Sequence, residues 1–291
     1  MITKILLTLD GSENSEKAVP WVRQFAGQEK AQVVLLQVLP RRSDREGWPR
    51  ERAEARDYLL RFEREFNYSG IPTKILVRRG NPAQEIVDAA GDQGCDLIVM
   101  STRGGSTVKR WVIGGVTEQV MRLSKVPVLP VWSSLPMPKQ GHVRRLIVPL
   151  DGSKRAESIV WWSIRLAMLL KSKLVFLHVR SKEKSRVTFE ALERRMTRIS
   201  ESLCKQGLKA EFKLQNGDAA ERILAFADRN DLILTTTHGF GGVKRWMFGS
   251  VAEARPRGHV SGSRLQNLRV NPDMVRGSVE SGDRFNRSPA G

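Results

Sequence analysis

The sequence predicts an α/β protein of two tandem domains, each built on a doubly wound, five-stranded parallel sheet, with the last strand missing from the second domain. Three observations predict this fold class. The 291-residue chain repeats itself internally, short apolar runs alternate with helical patterns in both copies, and the second copy loses its apolar pattern before the fifth run. The length also suits two domains of roughly 140 residues each.

Five sequence blocks recur in the same order in the two halves of the chain. The first block carries Asp-Gly-Ser, beginning at Asp10 and again at Asp151, and the last block ends in Val-Lys-Arg-Trp. Between them, the matching blocks are 34–38 with 175–179, 80–86 with 217–223, and 96–99 with 231–234. Five blocks in one order indicate a duplicated domain.

Each copy is predicted to alternate strand and helix four times. The strand runs are short and rich in Val, Ile and Leu, which is typical of strands buried on both faces of a sheet. Between them, apolar residues recur on one helical face, as at Ala18, Val22 and Phe25 in the first copy and at Leu192 and Met196 in the second. Strands that alternate with helices predict right-handed crossovers and therefore a parallel sheet.

The two copies end differently. The first copy closes with a fifth strand at residues 126–131, whose two prolines favour an edge strand. After Ala254 the expected helix and strand of the second copy are missing, and the remaining residues are too poor in apolar side chains to offset their ordering entropy. This change predicts a truncated or frame-shifted second domain. The predicted segments are domain 1 at 1–133, a linker at 134–142, an incomplete domain 2 at 143–254, and a disordered basic tail at 255–291.

Composition and charge exclude several classes of protein. The chain has 49 Lys and Arg against 31 Asp and Glu, a net charge of +18, and 40% hydrophobic residues. No apolar run approaches the roughly 20 residues of a membrane-spanning helix, and two cysteines without metal-binding spacing give neither a disulfide framework nor a zinc site. We expect a soluble, cytoplasmic protein without a membrane partner. Nucleic acid ranks last among partners, because no stripe of interleaved aromatic and basic residues accompanies the charge.

A ligand is expected at the carboxyl ends of the predicted strands, because doubly wound sheets bind ligands where the strand order reverses. Two segments of each copy end there: the turn at Asp10 or Asp151, and the glycine loop after the fourth strand. Glycines allow the backbone to approach a phosphate closely, and a helix that starts at Gly249 and Ser250 would add its positive end. Asp-Gly-Ser is also an ordinary turn and helix N-cap signal, so a structural role stays open for both aspartates.

The glycine loop matches neither the GxxxxGK[ST] nor the GxGxxG nucleotide motif. The repeated [VL]-x-L-D-G-S start, followed after the fourth strand by G-x2-G-x9-G-[ST], instead resembles the universal stress protein family. The resemblance covers residues 2–132 and 144–253 and is that of a tandem two-domain member. It implies a Rossmann-like fold and a stress-response role. One branch of that family binds ATP, sometimes with slow hydrolysis, and the other branch lacks the phosphate loop and does not.

The resemblance assigns binding residues to both copies. In the second copy, Asp151 and Val179 would contact adenine and ribose, and the phosphates would be held by Gly239, Gly249, Ser250 and Val251. The matching residues of the first copy are Asp10, Val38, Gly104, Gly114, Gly115 and Val116. The first glycine of the motif is replaced in both copies, and the hydroxyl residue after the last glycine is lost only in the first copy. The second copy is therefore the one that we expect to bind.

The resemblance also implies a ligand and partners. We expect ATP, with Mg2+, as the ligand of a nucleotide-dependent regulator. Hydrolysis is expected to be slow at most, because the sequence offers no Ser/His/Asp set, no paired carboxylates and no other catalytic residue. The alternative is a member that binds no nucleotide and acts as a protein-interaction module, whose partners the sequence does not identify. Because this family pairs its fifth strand within a tandem chain or between chains, residues 126–131 are also a candidate homodimer contact.

Overall fold

The structure is a computed structural model. It describes residues 2–29, 31–41, 47–102, 115–131, 143–180, 186–228, 230–236 and 266–270. The predicted linker, 134–142, lies outside these residues, as does most of the predicted tail. No helix in the described part of the chain is long and apolar enough to cross a membrane.

The first half of the chain follows the predicted alternation of strands and helices. Its elements are β1 (Lys4–Thr8), α1 (Glu13–Glu16), α2 (Val19–Glu29), β2 (Gln32–Leu39), α3 (Trp48–Tyr68), β3 (Thr73–Arg79), α4 (Pro82–Asp92), β4 (Leu97–Ser101), α5 (Gly115–Leu123) and β5 (Val128–Val131). The second half repeats the pattern. Its elements are β6 (Arg145–Pro149), α6 (Lys154–Leu170), β7 (Lys173–Arg180), α7 (Arg186–Lys205), β8 (Ala210–Asn216), α8 (Ala219–Phe226), β9 (Asp231–Thr236) and β10 (Gln266–Val270).

The strands form one ten-stranded sheet in the order β3-β2-β1-β4-β5-β10-β9-β6-β7-β8. Within the first half all neighbouring strands are parallel, and so are those from β10 to β8 in the second. The chain runs outward in one direction from β1 to β3 and then returns to the other side of β1 with β4, so the strand order reverses between β1 and β4. The same reversal occurs between β6 and β9. The predicted doubly wound parallel fold is therefore confirmed in both halves.

Strand β10 lies where the two halves meet. It pairs in parallel with β9 along five positions and antiparallel with β5 at Arg269 and Val128. The repeated part of the second half thus supplies four strands, as predicted, and residues from the tail take the fifth position. For these five residues the prediction of a tail without regular structure is wrong. The physical reason is that β9 would otherwise present unpaired N–H and C=O groups, which a short extended segment can satisfy whatever its side-chain pattern.

The position of β10 corrects a second prediction. Strand β5 was expected at an edge because of its prolines, but it is paired with β4 on one side and β10 on the other. Pro130 lies in β5 opposite Met100, so proline is accommodated inside the sheet here. On the side away from β4, strand β5 pairs antiparallel with β10 of the same chain.

The helices divide the core between the two faces of the sheet. On one face, a single hydrophobic core runs through both halves and includes Phe25 of α2, Leu59 of α3, Leu166 of α6 and Met196 of α7. On the other face, the core under α4 and α5 is separate from the core under α8. The predicted apolar faces of the helices are buried as expected: Ala18, Val22, Phe25, Leu192 and Met196.

An aspartate fixes the amino edge of the sheet in each half. Asp96 accepts hydrogen bonds from the backbone N–H groups of Thr3 at 2.7 Å and Lys4 at 3.0 Å. In the equivalent position, Asp231 accepts a hydrogen bond from Nε of Arg145 at 2.9 Å. These contacts hold the first strand of each half beside the fourth. They thereby set the register of the strands whose opposite ends carry the candidate site.

Candidate functional site

The turns that follow β1 and β6 have the same geometry. Oδ1 of Asp10 accepts a hydrogen bond from the N–H of Ser12 at 3.0 Å, and the glycine between them has a φ of +86°. Oδ1 of Asp151 accepts one from the N–H of Ser153 at 2.9 Å, and its intervening glycine has a φ of +81°. Glycine reaches this left-handed conformation without steric cost, and an aspartate bonded two residues ahead is an Asx turn. The repeated sequence therefore produces a repeated structure.

Each turn keeps one carboxylate oxygen available. No residue in the described ranges donates a hydrogen bond to Oδ2 of Asp10 or of Asp151. Asp10 is exposed and Asp151 is half-buried. Either oxygen can accept a hydrogen bond from a ligand hydroxyl or amine.

The first turn also has the structural role that the sequence left open, that of a helix N-cap. The side chain of Ser12 caps α1 by accepting the N–H of Ser15 at 3.2 Å. Helix α1 is tied to α3 through Glu16, which accepts hydrogen bonds from the hydroxyl of Tyr58 at 3.2 Å and from Arg61 at 2.6 Å. Burial raises the pKa of Tyr58 above its ordinary value, so this phenol stays protonated and donates. The turn at Asp10 is thus anchored on one side while its aspartate faces solvent.

The second strand of each half ends beside the turn. The N–H of Leu9 donates to Leu36 at 2.9 Å, and the N–H of Leu150 donates to Leu177 at 2.8 Å. Two residues after those leucines lie the predicted Val38 and Val179, both half-buried on the cores under α4 and α8. The structure therefore places each valine on the strand next to its aspartate.

The start of α5 lies at the same edge of the sheet in the first half. Gly115 and Val116 are its first residues, and both are exposed. The hydroxyl of Thr117 donates to the carbonyl oxygen of Ser101 at 3.0 Å, which ties the first turn of α5 to the end of β4. Strand β4 is the neighbour of β1. The positive end of α5 and Asp10 therefore lie at the same edge of the sheet, after adjacent strands.

The remaining predicted site residues lie outside the described part of the chain: Gly104, Gly114, Gly239, Gly249, Ser250 and Val251. Metal ligation finds no support in the described ranges, where no group of three or more His, Cys, Asp or Glu side chains comes together. The structure thus brings together the aspartate, the valine and the helix start in the first half, and the aspartate and the valine in the second.

Sequence reasoning missed two residues at this edge, Gln37 and Thr102. Gln37 lies between Leu36 and Val38 on β2, and its Oε1 atom is buried without a hydrogen-bond partner. Thr102 directly follows β4, is 1% exposed, and has a buried hydroxyl with no hydrogen-bond partner among the residues that the structure describes. Gln37 lies within the repeated block 34–38 and Thr102 outside the repeated blocks, and in both cases the missing partner is visible only in three dimensions. One signal was available for Gln37: it takes the place of a histidine, His178, in the repeat.

Comparison with known proteins extends this description. The sequence matches the universal stress protein family over residues 1–131 and 142–254. Universal stress protein MJ0577 of Methanocaldococcus jannaschii is 29% identical over 154 residues, which span 45% of this chain and 95% of that protein. Universal stress protein Sll1654 of Synechocystis is 34% identical over 135 residues, 45% of this chain and 86% of that protein. Each of these relatives corresponds to a single half of the chain in length.

A solved structure shares the arrangement of both halves. The crystal structure of a universal stress protein from Archaeoglobus fulgidus superposes with a TM-score of 0.72 at 23% identity, and covers 94% of this chain and 99% of that one. At this identity the likeness shows the fold alone. That fold is two stress-protein domains in tandem, as the internal repeat predicts.

Proposed function

We propose that this chain, which belongs to the universal stress protein family, is a stress-response regulator that binds ATP or another adenine nucleotide at the carboxyl edges of its two half-sheets. The observation that carries the proposal is the repeated aspartate turn. Asp10 and Asp151 are held in one conformation at the point where the strand order reverses, and each keeps a carboxylate oxygen for a ligand. This point is where doubly wound sheets bind nucleotides.

The proposed contacts follow the chemistry of the ligand. The free oxygen of each aspartate accepts a ribose hydroxyl or a base amine, and Val38 or Val179 lies on the strand beside it. In the first half, the start of α5 at Gly115 and Val116 offers N–H groups and the positive end of a helix to phosphate. The other phosphate-binding residues that we propose are Gly104, Gly114, Gly239, Gly249, Ser250 and Val251.

The second half retains more of the phosphate motif, and we propose that it contributes most to phosphate binding. Its Ser250 supplies a hydroxyl where the first half has Gly115. Strand β10 also pairs with β9 at five positions and so supports the strand that precedes the glycine loop in the sequence. Mg2+ would accompany ATP as the counter-ion of its phosphates. We propose binding with slow turnover at most, in the cytoplasm.

A protein-interaction module is the second candidate function. The observation that favours it is on α6, where Trp161 is 55% exposed and Met168, seven residues on, is 62% exposed. Both side chains are large and apolar, and exposed apolar residues on one helix are typical of contact surfaces. A regulator that responds to nucleotide and a module that binds a protein are compatible roles for one chain.

Thermal denaturation with and without ligand tests the proposed function. A ligand that binds only the folded chain raises the unfolding midpoint as its concentration passes its dissociation constant. We expect ATP with magnesium to raise the midpoint of the full chain, and inorganic triphosphate to raise it less. The Asp10→Ala, Asp151→Ala double variant is the control and should lose the effect of ATP. Equal midpoints with and without millimolar ATP would contradict the proposal.

A further inference from the structure

Gln37 and His178 occupy the same position in the two halves of the molecule. Each directly follows the leucine that hydrogen-bonds the residue just before the aspartate turn. Each also lies on the face of the sheet that carries the continuous core, because side chains alternate along a strand and the residue two positions earlier packs there. Gln37 and His178 are therefore two different side chains in equivalent environments.

His178 is satisfied within the protein. The residue is 7% exposed, and its Nδ1 atom lies 2.6 Å from the carbonyl oxygen of Leu150. A carbonyl oxygen only accepts, so Nδ1 carries the proton and donates it to the backbone beside Asp151. This buried hydrogen bond to Leu150 thus stabilises the turn at Asp151 in the second half.

Gln37 has no such bond. Its Oε1 atom is buried without a partner, and no hydrogen bond joins its amide to any residue that the structure describes. The amide lies against the turn, since its Nε2 atom is 3.8 Å from the point where a Cβ on Gly11 would be. A buried polar atom without a partner destabilises a folded protein, and such groups are rare in native structures. The Nε2 atom of the same amide is neither buried without a partner nor hydrogen-bonded to a described residue, so it can donate to an acceptor nitrogen of a ligand beside Asp10.

Two further unpartnered oxygens lie at the ends of the neighbouring strands. Oδ2 of Asp10 follows β1, and the buried hydroxyl of Thr102 follows β4. Strands β2, β1 and β4 are adjacent in the sheet. Three oxygen atoms to which no described residue donates a hydrogen bond therefore lie at the carboxyl edge of the first half, where the strand order reverses: two are buried, and Oδ2 belongs to the exposed Asp10.

The strand next to β2 at the sheet edge, β3, carries a cationic side chain that stacks on an aromatic ring. In the register of β2 and β3, Gln37 is opposite Val77 and the next residue on the same face of β3 is Arg79. The guanidinium of Arg79 stacks on the ring of Trp48, 5.2 Å from its centre, at the start of α3. An aromatic ring and a guanidinium group on the elements next to β2 suit stacking with a planar ring that carries acceptor nitrogens, which describes a nucleobase.

We propose that Gln37 is a base-recognition residue of the first half, where its amide hydrogen-bonds the purine ring of a nucleotide held at Asp10 and bordered by Trp48 and Arg79. The second half has no amide at this position, and Nδ1 of its His178 is bonded to the protein's own backbone. The inference rests on the proposed function and adds a division of labour to it: the first half selects the base, and the second half has the stronger phosphate motif.

The test replaces the amide by an apolar group of similar size. In the full chain carrying Asp151→Ala, so that only the first half is competent, Gln37→Leu should weaken the binding of ATP with magnesium and of adenosine alike, by about fivefold to tenfold. The unfolding midpoint of the ligand-free chain should stay or rise, since an unsatisfied amide is removed. Loss of affinity together with retained stability separates recognition from a structural role.

Gln24 is the matched control. Both atoms of its amide are also buried without partners, but it lies in the middle of α2 rather than at the strand ends. Gln24→Leu should retain or raise the unfolding midpoint in the same way and leave the affinity for adenosine unchanged. An equal loss of affinity in the two variants would overturn the assignment of Gln37.

The outcomes separate the inference from the function on which it rests. Two outcomes overturn the inference and leave nucleotide binding in place. One is an unchanged affinity of the Gln37→Leu variant, and the other is a chain that binds ATP but loses all binding on Asp151→Ala. A full chain that binds neither ATP nor adenosine overturns the proposed function and the inference together.

Discussion

Arg145 and Asp231 are joined by two side-chain hydrogen bonds at the amino edge of the second half-sheet. The carboxylate is fully buried and the guanidinium is 17% exposed. The hydrogen bond to Asp231 raises the pKa of Arg145 above its ordinary value. The guanidinium also donates to the carbonyl oxygen of Phe226 at 3.1 Å and stacks on its ring. One ion pair thus links β6, β9 and the end of α8.

Removing the arginine should destabilise the second half strongly. Arg145→Ala leaves the buried carboxylate of Asp231 without its charge partner, which costs about 3 to 5 kcal/mol in comparable cases. Lys4→Ala is the matched control, because Asp96 still accepts hydrogen bonds from the backbone N–H groups of Thr3 and of residue 4. This variant should lose at most about 1 kcal/mol of unfolding free energy. Urea unfolding of both variants measures the difference. Equal losses would contradict the account of the ion pair.

The contribution of Arg145 should be insensitive to pH around neutrality. A group whose pKa is raised on folding stabilises fully below its unfolded pKa, and the effect is lost only as pH rises through the folded value. For an arginine both values lie far above neutral pH. The difference in unfolding free energy between the wild-type chain and Arg145→Ala should therefore be constant across the neutral range. A marked decrease between mildly acidic and mildly alkaline pH would contradict this.

A glycine exchange tests the geometry of the aspartate turn. Gly11 has a φ of +86°, so Gly11→Ala should cost about 1 to 2 kcal/mol of stability even though no atom lies closer than 3.8 Å to the new Cβ. Gly91 lies in α4 with open space around it, and Gly91→Ala should stabilise by up to about 1 kcal/mol. Thermal or urea unfolding compares the two. A Gly11→Ala variant as stable as the wild-type chain would show that the turn is not left-handed.

The repeat and the apolar patterns allowed most of the fold to be predicted, because both are local properties of the sequence. Leu6 and Ile147, at the centres of the first strands of the two halves, are fully buried as their runs indicate. Strand β10 could not be predicted in this way. Its five residues pair because β9 has an open edge, and that edge is a property of the assembled sheet rather than of residues 266–270.

The candidate site likewise contains residues that could be predicted from the sequence and residues that could not. Asp10 and Asp151 could be found because a turn motif is written in consecutive residues. Gln37 could not, because its significance depends on which atoms lack partners once β2 is packed beside β1 and β3. Burial and satisfaction of polar groups are decided by residues distant in sequence.

The two cysteines should differ sharply in reactivity. Burial raises the pKa of Cys95 to about 11, so its thiol is protonated at mildly alkaline pH, whereas Cys204 on α7 is exposed. Only the thiolate reacts with alkylating reagents. We expect one thiol per native chain to be labelled rapidly near pH 8 and two after denaturation. The Cys204→Ser variant should be almost inert when native, and rapid labelling of that variant would show that Cys95 is accessible.

Isothermal titration of the full chain with ATP and magnesium tests the central claim most directly. The account predicts saturable binding that is weakened by Asp10→Ala and by Asp151→Ala and abolished when both are combined, since each half contributes its own aspartate turn. The double variant should stay folded and unfold only slightly below the parent, because each aspartate accepts from its own turn, neither is fully buried, and neither forms an ion pair with a residue that the structure describes. No binding by the wild-type chain at millimolar ATP, or full binding by the double variant, would contradict it.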